Sequence, residues 1–401
     1  MVSTASLFNQ LLKHFPRTEF AELVRKHGAE RNAKGFSCWT QFVAMLFCQL
    51  AQTDSLREIC NGLKCCLGKL VHLGVQRSPV RSTLSYANQH RPAALFEDLF
   101  WTVLNRFRQQ QLLGSRPTPF RFRNKILLLD STTISLCLSL FPWAGFKRTK
   151  GGVKAHVLLD HDDFMPRFVL ITTAKASDVR MARSIPIPSQ SIVVADRAYM
   201  DFSRFAQWNR QNIYFVCRSP FYPVFKVLAQ RDVPARGNIL TDEIVQFTGR
   251  YSGQYHVPLR RITVRLEDDD QPLILLTNHM NFAAGTIARI YKERWQIEVF
   301  FKTLKQNLKI KTFIGTSENA LRIQIWTALI AILLLKWLHH LSMARWSLSN
   351  LASMLRLSLF SYRDLRTWLN HPFETPPHVP IPQQLPLLWL VVGQPIPHSA
   401  P

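Results

Sequence analysis

Acidic residues are scarce in this chain: 26 aspartates and glutamates stand against 50 lysines and arginines in 401 residues, a formal charge of +24. That imbalance excludes an acidic or balanced surface. It points to a polyanionic partner, because charge of one sign concentrates ligands of the other. Cysteines at zinc-binding spacing are also lacking. Cys38, Cys48, Cys60, Cys65, Cys66, Cys137 and Cys217 contain no C-x-x-C pair, their number is odd, and several fall within apolar patterns. Reduced thiols are expected, not a disulfide framework, and a zinc cluster of Cys60, Cys65, Cys66 and His72 is a poor candidate. Long hydrophobic runs are missing too. The longest, Ile325 to Leu335, is interrupted by Thr327 and closed by Lys336; it is short for a bilayer and reads as a buried core helix. The opening MVSTASLFNQLLKHF is amphipathic without an apolar signal core, so a cytoplasmic protein without a membrane partner is expected.

What is present is enough to fold: 47% of the residues are hydrophobic, which argues against disorder. Residues 1–115 read as an all-α N-terminal domain that binds DNA. Leu7, Leu11, Leu12 and Phe15, then Phe20, Leu23 and Val24, then Trp39, Phe42, Val43, Leu46, Phe47 and Leu50 recur at helical spacing. Ser55 with Glu58 has capping-box spacing, Gly62, Gly68 and Gly74 interrupt the pattern, and Pro79 opens a helix carrying Arg81, Ser82, Thr83, Tyr86 and Asn88. Two short helices about a glycine-bearing turn suggest a helix-turn-helix, with Arg81 toward DNA; an ordinary bundle with a polar face gives the same pattern.

Near residue 115 the texture changes to short apolar runs alternating with helical segments, the pattern of an α/β core over about 116–345. Ile126–Leu129 ends in Asp130 and Ile192–Ala195 ends in Asp196. The carboxyl ends of strands form the ligand crevice of open α/β sheets, although one acid there is as often a cap. Residues 219–272, rich in proline, glycine and alternating stretches, read as a β-rich insertion. A helix is expected from about Thr286 to Leu308. At about 100° per residue it gathers Tyr291, Arg294, Trp295, Glu298, Lys302 and Lys305 on one face beside an apolar stripe of Ile290, Ile297, Phe301, Leu304 and Leu308. An Arg–Glu pair four residues apart is also a common helix stabiliser. Residues 346–401 read as a C-terminal helical segment and a proline-rich tail.

Tyr291, Arg294, Glu298 and Lys305 fit the spacing Y-(2)-R-(3)-E-(6)-K, and with D-S-T at Asp130 and D-R-A-Y at Asp196 the chain resembles the IS4 family of bacterial insertion-sequence transposases over roughly residues 5–340. The resemblance implies a ribonuclease-H-like catalytic core with the β-rich insertion between Asp196 and Glu298. It implies that Asp130, Asp196 and Glu298 are catalytic and ligate two Mg2+ ions, for which Mn2+ can substitute. Mg2+ favours hard carboxylate oxygens, and two such ions can activate an attacking oxygen and stabilise a leaving one. The implied partners are double-stranded DNA, as terminal inverted repeats and target, and a second copy of the chain in the DNA complex, near the bacterial nucleoid.

Tyr291, Arg294, Trp295, Lys302 and Lys305 are then DNA-binding candidates, Trp295 by stacking on a base or else packing at the core edge. Other family members carry a second aromatic wedge in the insertion. Residues 219–272 hold no tryptophan, leaving Phe247, Tyr251 and Tyr255 as substitutes. Lys147, Arg148 and Lys150 suit a DNA backbone or a solvated hairpin. Glu267–Asp270 suggests an exposed turn, and His156 and His161 suggest structural roles. A catalytically inactive DNA-binding remnant or repressor, and a nuclease of the same fold without strand transfer, share the basic charge. The three acids favour an enzyme, and the Y-R-E-K helix and insertion favour a transposase.

Overall fold

The computed structural model describes residues 5–374 apart from 32, 34, 67, 69, 115–118, 148–149, 221–223, 234, 250–251, 267–270 and 311. Arg148, Tyr251, the Glu267–Asp270 run and the tail past residue 374 lie outside the described residues.

The N-terminal third is helical: α1 (Leu7–Leu12), α2 (Arg17–Lys26), α3 (Cys38–Ala51), α4 (Leu56–Lys64), α5 (Arg81–His90) and α6 (Ala94–Gln109). Serine side chains start several helices by accepting orphan backbone N–H groups, Ser37 from Thr40 and Ser55 from Glu58. Glu58 reaches back to the Asp54 N–H at 2.8 Å, closing the box one residue earlier than expected. Gly62 does not interrupt α4 as its sequence position suggested; it lies inside the helix, where a Cβ would stand 2.9 Å from the Phe47 ring and only glycine leaves room. Gly62→Ala adds about 1 kcal/mol of helix propensity but overpacks the buried Phe47, which costs about 1–3 kcal/mol. A lowered urea midpoint is expected, and a raised one contradicts this packing.

Ten strands follow among the described residues: β1 (Ile126–Leu136), β2 (Gly145–Lys147), β3 (Lys150–Asp160), β4 (Pro166–Thr173), β5 (Ile192–Ala195), β6 (Tyr214–Arg218), β7 (Phe225–Gln230), β8 (Ile239–Phe247), β9 (Leu259–Val264) and β10 (Leu273–Thr277). They form one sheet in the order β2-β3-β1-β5-β6-β10-β9-β8-β7, with β4 also on β3. β1 and β3 are antiparallel, as are β3 and β4, whereas β1, β5 and β6 run parallel. Parallel neighbours need a crossover, supplied between β5 and β6 by α8 (Phe202–Arg210), while α7 (Asp178–Ala182) precedes β5. The β-rich stretch is continuous with this sheet. β10 pairs with β6 on one side and β9 on the other, which carries the ladder outward into β8 and β7.

The helix expected from Thr286 to Leu308 is two: α9 (Ala284–Lys292) and α10 (Trp295–Asn307). Three-residue hydrogen bonds, Glu293 to Ile290, Arg294 to Tyr291 and Ile297 to Arg294, tighten the backbone between them. The chain closes with α11 (Glu318–Leu341), α12 (Leu348–Ser358) and α13 (Leu365–Asn370). α11 is longer than its apolar run, and by length and composition it could cross a membrane, yet 89% of its apolar window is buried inside the protein. It packs on α3, α5 and α6, so it is the core helix the sequence suggested. Gln324, fully buried on α11, donates to the Lys309 and Thr312 carbonyls and accepts from Ile314 N–H, fastening the strap that follows α10.

Lys336 ends the apolar run by donating to the Asp163 and Phe164 carbonyls at 3.3 and 2.6 Å. Burial lowers its ammonium to about 7, against a smaller pull upward from Asp163. The folded chain therefore holds this proton less tightly than the unfolded chain. The group's contribution is fully present above the ordinary lysine value and is lost as pH falls toward 7. Lys336→Met should gain stability relative to the parent as pH falls from 10 to 7 in chemical denaturation; a pH-independent difference contradicts this.

Candidate active site

Asp130 does not end its strand. β1 runs on to Leu136, and Asp130 pairs with Val157 of β3 in mid-strand. What ends there is the parallel ladder: Leu129 pairs with Ala195, the last residue of β5, and Asp196 follows at once. The two acids thus leave neighbouring parallel strands at the same level, in the crevice the sequence pointed to, although Asp130 reaches it by the loss of a neighbour and not by the end of its own strand. Asp130 Oδ1 accepts from Ser131 N–H at 2.7 Å.

Arg294, in the tightened turn before α10, joins the third acid to the first. Its guanidinium stands 2.6 Å from Glu298 Oε1 and 3.9 Å from Asp130 Oδ2. It also lies over the Tyr291 ring, 5.7 Å from the centroid. Burial raises the Asp130 carboxyl to about 6; Ser131 N–H and Arg294 oppose the rise, and the charges of Asp196 and Glu298 add to it. Three carboxylates close enough to repel one another around a guanidinium form a cation-seeking set of hard oxygens. Among the described residues no three such side chains enclose an ion as they stand; Arg294 bridges two of them instead.

The other candidates separate by exposure. Trp295 is 58% exposed, so it does not pack at the core edge. Lys302 is exposed, and Lys305 donates to the Thr133 carbonyl on β1 at 3.1 Å. Both line an open cleft with Asp130, Ser131, Thr132, Glu298, Phe301 and Gln306. Tyr291 is buried; burial raises its phenol to about 12. Arg294, expected on DNA phosphate, is committed to Asp130 and Glu298. The backbones of Lys147 and Lys150 pair in register across the β2–β3 hairpin. Arg81 opens α5 on an exposed face and lines a second cleft with Arg57, Lys64 and Arg77. Asn88, on the same helix as Arg81, is buried and accepts from Gln41 Nε2 at 2.8 Å. Of the aromatic substitutes in the β-rich stretch, Phe247 and Tyr255 are buried, Phe247 stacked on Phe202 at 3.8 Å.

Sequence reasoning missed Asp178 altogether and treated His156 as merely structural. Asp178 opens α7 and accepts from Ser131 Oγ at 2.7 Å and Lys154 Nζ at 3.1 Å. His156 Nδ1 stands 3.3 Å from Oδ1, the oxygen that also meets Ser131. Burial acts to raise this carboxyl, but the bonds from His156, Ser131 and Lys154 outweigh it and hold the group well below the ordinary carboxylate value. No local signal announces this cluster, since Ser131 and Asp178 are far apart in sequence.

Comparisons with known proteins bear on the same residues. Residues 121–334, which span all three acids, match the family model described as a transposase DDE domain, and residues 3–76 match a domain of unknown function, DUF4372. The chain is 32% identical over 305 residues to y4zB of Sinorhizobium fredii, named as a transposase, covering 75% of this chain and 83% of that protein. It is 29% identical over 263 residues to a protein of Geobacillus stearothermophilus named as the transposase of insertion sequence element IS5377, covering 64% of this chain and 67% of the other. It is 26% identical over 275 residues to a Synechocystis protein named as a transposase of element IS4SA, covering 64% and 71%.

Proposed function

The chain belongs to the transposase DDE domain family, and from that premise we propose that Asp130, Asp196 and Glu298 hold divalent metal, Mg2+ or Mn2+, for cutting and joining DNA. It is an insertion-sequence DNA transposase. The observation that carries the finer reading is the convergence of two acids, on neighbouring parallel strands, with the Arg294–Glu298 pair. The order β4-β3-β1-β5-β6, three antiparallel strands followed by two parallel to the first, supports a ribonuclease-H-like core.

When bound, two such ions supply charge to activate an attacking oxygen and to stabilise the leaving oxygen of an in-line displacement. The residues of the chain do the rest. Asp130 and Glu298 would give up Arg294 as counter-ion, and with Asp196 they would hold the metal in its stead. The released guanidinium can pair bidentately with a phosphate oxygen pair beside the scissile bond. Lys302 and Lys305, along the cleft, neutralise the neighbouring phosphates. Tyr291 supports Arg294 from below, through its ring. Trp295 offers an exposed stacking surface for an unpaired base.

The cleft of Arg57, Lys64, Arg77 and Arg81 supports a second DNA contact by the helical N-terminal region, at the terminal inverted repeats, with target DNA held at the catalytic cleft. Two ends have to be joined together, which favours a homodimer in the DNA complex, in the cytoplasm near the nucleoid. Residues 1–115, 116–345 and 346–401 serve as the working division of the chain. The test is incubation with DNA carrying the element's ends: Mg2+ should give cleavage at the ends, and EDTA should stop it. Cleavage in EDTA contradicts the assignment.

A further inference from the structure

The carboxylate of Asp130 is aimed by a hydrogen bond from its neighbour's backbone, Ser131 N–H to Asp130 Oδ1 at 2.7 Å. Ser131 is itself fixed through its hydroxyl, which donates to Asp178 Oδ1 at 2.7 Å. Asp178 is braced from β3 by Lys154 Nζ, which donates to Oδ2 at 3.1 Å, and by His156, 3.3 Å from Oδ1. The fully buried His156 is held in turn by Thr172 Oγ1 on β4 at 3.1 Å from its Nε2. One polar chain therefore runs from the edge strand β4 through β3 and α7 to the backbone that holds Asp130.

We infer that Asp178 is a positioning residue for metal binding at Asp130, acting through the Ser131 hydroxyl. This rests on the reading of Asp130, Asp196 and Glu298 as metal ligands. Both Asp178 oxygens are already occupied, Oδ1 by Ser131 and His156 and Oδ2 by Lys154, so Asp178 orients and does not itself ligate. Beyond Leu129 strand β1 has lost β5 and keeps β3 as its neighbour, so the bond from the Ser131 hydroxyl to Asp178 adds a tether to the backbone whose N–H holds Asp130. Outer partners of this kind tune metal affinity by about 10- to 100-fold. Lys154 pairs with Asp178 and balances the charge this carboxylate brings behind Ser131.

The experiment is Mn2+ titration by calorimetry on the full chain, with Mg2+-dependent end cleavage measured in parallel for wild type, Asp130→Ala, Asp178→Asn, Ser131→Ala and Ser131→Thr. Asp178→Asn and Ser131→Ala should each weaken Mn2+ binding about tenfold or more. They should shift the Mg2+ dependence of cleavage to higher concentration, with the maximal rate recovered at saturating metal. Ser131→Thr, which keeps the hydroxyl, should restore tight binding. If Asp178→Asn fails to fold, the two Ser131 variants decide the matter. Unchanged Mn2+ affinity in folded Asp178→Asn or Ser131→Ala overturns the positioning role. If wild type itself neither binds Mn2+ nor differs from Asp130→Ala, the metal-site reading fails instead, so the two failures are distinguishable.

Discussion

Alanine at Asp130, Asp196 or Glu298 should each lower Mg2+-dependent cleavage of the element's ends at least about a thousandfold, roughly 4 kcal/mol of transition-state stabilisation. Gel-shift affinity for the same DNA in EDTA should change little. The three losses have one cause, the removal of a hard oxygen from a metal set that has few others. They are not losses of fold. The Asp130 carboxyl is raised to about 6 by burial first of all, with Asp196 and Glu298 adding to the rise. At neutral pH the folded protein therefore carries that charge at a cost, and Asp130→Ala should melt no lower than wild type. Glu298→Ala differs in detail: it leaves Arg294 with Asp130 alone. A folded alanine variant that still cuts would falsify the role of that acid.

DNA affinity should fall steeply with salt. A protein neutralising 6–10 phosphates loses about 10^3 to 10^5 in affinity between 50 and 200 mM salt, and the charge of +24 is ample for that number. Fluorescence anisotropy across this range should show at least about a thousandfold loss. Arg81→Ala and Lys302→Ala, both exposed, should each reduce the log–log slope by about one if each side chain meets a phosphate. A slope unchanged in Arg81→Ala removes the α5 end from the DNA-contact surface, and a flat wild-type response contradicts the charge-based reading altogether.

How far the sequence carried this picture varies residue by residue. Asp196 was legible because IVVA is short, apolar and followed by an acid, and β5 does end there. Asp130 carried the same local signal, but β1 continues past it; only the pairing partner, invisible in a single strand, marks the place. The face holding Tyr291, Arg294 and Glu298 was read from helical periodicity, yet the tightened turn at Glu293 and Arg294 was not, because three-residue hydrogen bonding leaves no distinct pattern of apolar residues. It turns Arg294 toward Asp130 and away from solvent, so its resting role as counter-ion was missed. Alternation revealed a β-rich stretch over 219–272 but not that its strands extend the core sheet, since pairing of β10 with β6 is a non-local choice. Asp178 was beyond reach for the same reason: it lies on α7, and its partners Ser131, Lys154 and His156 lie on β1 and β3.

The central claim is chemical: one set of three carboxylates both cuts DNA and joins it. The most direct measurement is to incubate the purified chain with Mg2+, DNA bearing the element's two ends and a circular target, and then to sequence any junctions formed. The 3′ ends of the element should be joined to target DNA and flanked by direct repeats of fixed length, and these junctions should be lost in Glu298→Ala. Cleaved ends without junctions would reduce the protein to a nuclease, and binding without cleavage to a repressor; either result contradicts the account.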